Sequence, residues 1–366
     1  MQTIKGIFAE ARIMTDDAEE YAISQIRMIA DNIVSEGSKI RVMPDVHPGK
    51  VGPVGLTMTM GDKVLPNLLG IDIGCGMLVC EVKATRCEFE KFDRIIKENI
   101  PSGSDIRKTV HHSADLAILE DLRSFNRINV SKAMRSLGTL GGGNHFIEVD
   151  KAGDKVYVVI HSGSRHLGKE VTEYYLDAGR RPDIPYEMTM LEGALADNYL
   201  HDVAVVTRYA SENRRIMLDE ILKGMKWREV DRFETIHNYI SVEPDGTGIL
   251  RKGSISAREG ERLIIPINMR DGAILGIGKG NPEWNSSAPH GSGRRLRRDA
   301  VQDHYTLSAF KKDMKGIYST SVSKDTLDEA PIAYRGMDDI LPLIEDTVEV
   351  TGIIRPVYNY KAGSRR

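Results

Sequence analysis

Asp72, Cys75, His145, His161, His237 and His290 carry the side chains of this 366-residue chain best suited to meeting around one ion. Asp72 and Cys75 lie three residues apart in LLGIDIGCGM, with a glycine on each side of the cysteine, a spacing that lets both turn toward one centre. The histidines stand in GTLGGGNHFIEV, VYVVIHSGSRHLG, ETIHNYIS and SAPHGSGRR, each beside a run that reads as a strand end. Loops at strand ends are where binding groups are usually mounted. A lone buried histidine is more often a satisfied core residue than a ligand, but four in such settings favour a site. Imidazole, thiolate and carboxylate donors together make a divalent-metal shell. Their softness leans to zinc, while carboxylate and water positions also admit manganese.

His290 has a second chemistry open to it. Neutral imidazole attacks phosphorus and forms a labile phosphoramidate, which suits a covalent nucleotidyl intermediate. Arg294, Arg295, Arg297 and Arg298 follow it and would stabilise charge on a transferring phosphoryl group; the alternative for RRLRR is a solvated helix face. The glycine-rich turns GTLGGGNH and HGSGRR can form concave nests of backbone N–H groups that hold phosphate oxygens. GIGKGN, by contrast, lacks the spacing and the Ser/Thr of a nucleotide P-loop. No GxGxxG follows a strand with an acid downstream, which disfavours a dinucleotide fold.

These residues need a scaffold of interspersed helices and strands. Asp16 to Glu19 (DDAE) reads as a capping box opening a helix with Ala22, Ile26, Ile29 and Ile33 on one face. A second helical stripe runs through Leu195, Tyr199, Val203, Val206 and Ala210. Residues 155–160 (KVYVVI), 262–267 (RLIIPI) and 352–360 (GIIRPVYNY) read as strands. No repeat, low-complexity tract or linker marks a domain cut.

The composition sets limits on function. Hydrophobic residues are 41% of the chain, enough for a large core, and charged residues are 28% with a net charge of −3, so a polyanion must meet a local patch. The start lacks a secretory pattern and no apolar run approaches membrane-spanning length, so the expected location is the cytoplasm, with no membrane partner. Three cysteines, Cys75, Cys80 and Cys87, fit neither a disulfide framework nor a paired zinc knuckle and are expected to be reduced.

Taken in order, PDVHPG (44–49), DIGCG (72–76), GGGNHFIE, HSGSRHLG, HNY and HGSGRR resemble the RtcB family of RNA-splicing ligases, from about Met43 to Lys361. The resemblance implies an α+β fold: a single large domain over residues 1–366, with mixed β-sheets and flanking helices around a central metal site. It implies a GTP-dependent ligase of a compact bacterial branch that joins an RNA 3′-phosphate or 2′,3′-cyclic phosphate to a 5′-hydroxyl, in RNA repair or splicing. Two manganese ions rather than zinc would be held by Asp72, Cys75, His145, His161 and His237, with Cys75 bridging. His290 would be the nucleophile that carries GMP, after a metal-activated water has opened the cyclic phosphate. GMP would then pass to the RNA 3′-phosphate, giving a 3′-ppG end that the 5′-hydroxyl displaces.

Asn144, Glu148, His237, Asn238, His290, Gly291 and Lys361 match the family's GTP-contacting positions, and an archease-like activator is an implied partner. Asp45 and His47 would orient other groups. Where many members carry Pro-Gly-Ser-Met-Gly, this chain reads Asn268-Met269-Arg270-Asp271-Gly272, which puts base contacts there, and any part for Asp271 or Lys279, in question. RNA phosphates would meet Arg165, Arg294 and Arg295, with Arg297, Arg298, Arg251 and Lys252 nearby, giving salt-dependent binding without sequence reading. Two other classes fit the residues: a metal-dependent phosphohydrolase with His290 only binding phosphate, and a structural metal site on an RNA-binding module.

Overall fold

The computed structural model describes residues 1–84, 86–243 and 245–362. Two sheets dominate. One is mixed, with strands in the order Gln2–Lys5, Glu10–Ile13, Ile40–His47, Val54–Thr59, Gly248–Lys252 and Asn238–Val242; only the pairing of Glu10–Ile13 with Ile40–His47 is parallel. The other is antiparallel throughout, in the order Arg228–Ile236, Gly76–Lys83, Lys155–Ser162, Phe146–Ala152, Val348–Tyr360, Gly272–Gly278 and Arg262–Asn268. This second sheet curls until its outer strands meet, where the Arg262 guanidinium pairs with Asp231 and lies 4.8 Å over the Phe233 ring. The three strands expected from sequence are all present, each longer than its run.

The helix Gly193–Met225 joins the sheets. Its 33 residues span about 50 Å at 1.5 Å per residue. Tyr199, Val203, Val206 and Tyr209 pack in the core under the mixed sheet, while Met217, Leu218, Ile221 and Met225 pack in the core of the antiparallel one. The stripe read from sequence thus continues past Ala210 for four more turns.

The early helix is shorter than expected. It runs from Glu20 to Ala30, and its N-cap, Glu19, makes no side-chain cap. The Asp16 carboxylate is taken by the N-terminal ammonium at 2.6 Å, so it is not free to cap, and Thr15 Oγ1 accepts from the Asp17 N–H in a local turn. Ile33 falls outside, in a single 3₁₀ turn capped by Asn32.

On Phe146–Ala152, Glu148 and Asp150 point away from Ile147 and Val149, which fill the core beneath. Asp150 has no exposure, and neither of its carboxyl oxygens has a hydrogen-bond partner among the described residues. Burial, and then the neighbouring Glu148, push its carboxyl well above the usual carboxylate range. A carboxyl that keeps its proton on folding costs stability as pH rises through the interval between its unfolded and folded values. Asp150→Asn should therefore be more stable than the native chain at pH 7.5, with the gap closing toward pH 4 at about 1.4 kcal/mol per pH unit. Urea unfolding at a series of pH values measures this, and a pH-independent difference would contradict it.

Candidate active site

Strand register brings the site together. Ile236 pairs with Gly76, Gly76 with Ser162, and His161 with both Met77 and Phe146. Four neighbouring strands therefore present His237, Cys75, His161 and His145 along one rim of the sheet. The His237 N–H donates to the Cys75 carbonyl at 2.9 Å, which ties the first two together. Asp72 stands one turn before Cys75, whose N–H donates to the Asp72 carbonyl at 3.2 Å.

The ligand atoms fall into two overlapping groups. Cys75, His161 and His237 form one, and Asp72, Cys75 and His145 the other, each with its atoms within 4.8 Å of one another. Cys75 Sγ is shared, 3.3 Å from His161 Nε2 and 3.4 Å from His145 Nε2. Asp72 Oδ2 lies 3.2 Å from His145 Nε2. His161 Nδ1 lies 3.1 Å from the Asn144 carbonyl, which can only accept, so Nδ1 holds the proton and Nε2 turns a lone pair to Cys75 and to His237 Nε2 at 3.0 Å.

The electrostatics of this group suit a cation. Burial, reinforced by neighbouring imidazoles, keeps His161 and His237 well below the usual histidine range, so both are in the neutral form that ligates. Burial and the Asp72 charge push the Cys75 thiol up, a penalty that a divalent ion at the sulfur would reverse. Burial alone would raise Asp72, but the hydrogen bond and charge of His145 hold it down to about 2. Soft and hard donors converge on one buried spot, and the set fits a divalent metal.

His290 stands apart from these groups. It follows the short strand Ser287–Pro289, with its ring 4.8 Å from that of His237. Its Nδ1 is 2.6 Å from Asp45 Oδ2, on the fully buried Asp45 of the mixed sheet. That bond places the proton on Nδ1 and leaves the Nε2 lone pair free. His47 Nδ1, in turn, meets the Asp45 carbonyl at 3.0 Å.

An open cleft of about 800 Å³, mouth included, lies against His161, His237 and His290. Of the residues expected to contact nucleotide, Asn144, Glu148, His237, His290, Gly291 and Lys361 line it. Asn238 does not: its side chain donates to the Asp72 carbonyl at 3.3 Å and accepts from Gly253 N–H at 2.9 Å, clamping the loop that carries Cys75. Glu148 is held by Asn359, and burial raises its carboxyl to about 7 despite that bond and Lys361. Asn268 and Met269 line the cleft where the sequence leaves the family pattern. Asp271 pairs instead with Arg270 at 2.8 Å, and Lys279 reaches the Glu345 carbonyl at 2.5 Å, so neither lines it.

The arginines divide. Arg294 and Arg298 line the cleft, bound to Glu329, Arg298 with its side chain still 46% exposed, whereas Arg295 and Arg297 do not line it and pair with Asp339 and Asp299 on the surface. RRLRR is a loop ending in a 3₁₀ turn, not a helix face. Arg165 donates to Thr139 Oγ1 at 3.0 Å and the Gly103 carbonyl at 2.8 Å, directly under Gly141, where a Cβ would lie 2.1 Å from its Nη1. Arg251 has no exposure and bonds Ser287 and Ser241; Lys252 is buried as well, and burial lowers its amine to about 8.

Residues 25–362 match the family model described as tRNA-splicing ligase RtcB. The chain belongs to the RtcB family. It is 29% identical over 367 residues to RNA-splicing ligase RtcB of Escherichia coli K12, covering 87% of this chain and 88% of that protein. RtcB1 of Escherichia coli ATCC 25922 matches to the same extent. The tRNA-splicing ligase RtcB of Aeropyrum pernix is 26% identical over 397 residues, covering 82% of each chain. Among the described residues, no helix of this RtcB-family chain is long and apolar enough to cross a membrane.

Several site-forming residues of this RtcB-family chain escaped the sequence reading. Arg214 is fully buried on the long helix, where its Nη1 donates to the Ser162 carbonyl and, at 2.8 Å, to the Gly74 carbonyl, while Nε meets Glu234 at 2.6 Å. It thus fixes the backbone beside both Cys75 and His161. Glu329 and Tyr334 lie in a stretch without periodicity; the one available signal for Asn359 was a polar residue inside an apolar strand. Arg214→Met should cost about 3 kcal/mol, because two buried carbonyls and Glu234 lose their donor. Urea unfolding checks this, and a loss under about 1 kcal/mol would show the clamp to be dispensable.

Proposed function

We propose that this chain is an RNA ligase that joins an RNA 3′-phosphate or 2′,3′-cyclic phosphate end to a 5′-hydroxyl end, using GTP and two manganese ions through a His290–GMP intermediate. Its family membership supports the ligase class and the RNA substrate. The observation that carries the mechanism is the Asp45-bound His290, which lines the cleft beside the metal-type cluster with its Nδ1 engaged. We also read residues 1–366 as one domain, since a single helix packs in both major cores.

Asp72, Cys75 and His145 would hold one ion and Cys75, His161 and His237 the other. The ions would supply Lewis acidity and charge neutralisation for phosphoryl chemistry. The protein's own residues do the rest. Asp45 keeps the His290 proton on Nδ1, so Nε2 attacks the GTP α-phosphorus; the P–N bond forms, the bond to the bridging oxygen breaks, and pyrophosphate leaves. An oxygen of the RNA 3′-phosphate then takes GMP from nitrogen. The 5′-hydroxyl oxygen attacks the 3′-phosphorus, GMP departs, and the hydroxyl proton is released to solvent. Arg294, Arg298 and Lys361 line the cleft where phosphate charge would develop.

Incubation with α-labelled GTP and manganese should give an acid-labile, alkali-stable label on the protein. His290→Ala should give none, and Asp45→Asn should slow labelling about 100-fold by freeing the ring. Ligation should need a 2′,3′-cyclic phosphate or 3′-phosphate with a 5′-hydroxyl; joining only 3′-hydroxyl to 5′-phosphate ends would refute the mechanism. Release of phosphate from RNA ends without any protein label would favour the phosphohydrolase instead. Manganese alone should raise the melting temperature of the native chain but not of Cys75→Ala, and an equal rise in both would remove Cys75 from the metal site.

A further inference from the structure

Glu329 gathers more charge than any other acid at the cleft. It is 2% exposed, yet its Oε1 accepts from Arg294 Nη1 at 3.3 Å and from Arg298 Nη1, while its Oε2 accepts from Lys361 Nζ and from Tyr334 Oη, both at 2.6 Å. Every one of these partners lines the cleft. Two of the cations are braced a second time. The Arg294 guanidinium lies 4.8 Å over the Tyr334 ring, and the Lys361 ammonium 5.7 Å from the Phe146 centroid. Burial alone would raise the Glu329 carboxyl, but Lys361, Arg298 and Arg294 hold it down to about 2, so it stays ionised at any working pH.

Three like charges at one wall repel each other and, left alone, would turn outward to water with the full rotamer freedom of long side chains. One buried carboxylate removes that freedom in advance. We propose that Glu329 is a positioning residue, which aligns Arg294, Arg298 and Lys361 so that they meet the phosphates of a nucleoside triphosphate already in place. The inference rests on the proposed function, and makes the alignment of the cations, not only their charge, a condition for fast transfer to His290. Three cations against Glu329 and Asp328, which also pairs with Arg298 at 2.7 Å, leave the wall one positive charge in excess. An incoming polyanion is therefore attracted while the cations stay tethered.

The test is the time course of labelling by α-labelled GTP and manganese in the full chain. Glu329→Gln keeps the shape and loses the charge. The maximal labelling rate should fall about 100-fold, while the GTP concentration for half-maximal rate changes little and the final labelled fraction stays at that of the native chain. A purely structural Glu329 would instead lower the labelled fraction and leave the rate constant intact, which would overturn the proposal. If Glu329→Gln fails to fold, Glu329→Asp decides: it keeps the buried charge one methylene short, and an unchanged rate overturns the proposal. In a Lys361→Met background the same Glu329→Gln change should cost much less than it does alone, and equal factors in both backgrounds also count against it. A native chain that takes no label overturns the proposed function, and this inference with it; a labelled native chain with unaffected Glu329 variants overturns this inference alone.

Discussion

Everything at the site depends on the alignment of four strand ends. His237, Cys75, His161 and His145 lie far apart in the sequence; they meet because pairing between neighbouring strands leaves no freedom to slide. A slip of one residue in any pair would turn a ligand to the opposite face of the sheet. Arg214 secures that alignment from below, by bonding backbone oxygens on two of the four chain segments at once. A buried guanidinium is costly to desolvate, and here its cost is offset by Glu234 and by carbonyls that would otherwise be orphaned.

The two sheets divide the chemistry. The antiparallel sheet supplies the cluster of soft and hard donors, Glu148 in the cleft and, two residues along the same strand, the buried Asp150. The mixed sheet supplies Asp45, which directs His290. Between them, the loops after Pro289 and Ile267 and the 3₁₀ turns around Glu329 form a wall with its own charge order. Two buried carboxyl groups stand at opposite extremes: Glu329 is held low by three cations, and Asp150 is held high by burial and by the neighbouring Glu148. Surroundings, not residue type, assign their charge.

Much of this was legible in the sequence because the signals were local. Glycine beside histidine at the end of an apolar run marks a strand-end loop, and each of those histidines does sit beside a strand. Three of the strands and the first half of the long helix followed from period and composition. What escaped depends on distance. The Asp45–His290 bond spans 245 positions, and nothing near either residue announces the other. Arg214 lies past Ala210 on the long helix, and a charged residue on a helix reads as solvent-facing until packing turns it inward. Arg295 and Arg294 are adjacent and alike in type, yet one is exposed and the other lines the cleft, because Tyr334 and Glu329 come from a segment 35 to 40 positions away.

The bond between Asp45 and His290 joins the two halves of the chemistry mechanically. One ring is steered from the mixed sheet while the donors it must work beside are fixed to the antiparallel one. A small rotation between the sheets would leave each half intact by itself and still swing the imidazole away from the donor cluster. Rigidity between layers therefore sets the geometry of the site as much as any contact in the cleft, and substitutions far from the rim, along the helix that packs in both cores, can change the angle of a single ring.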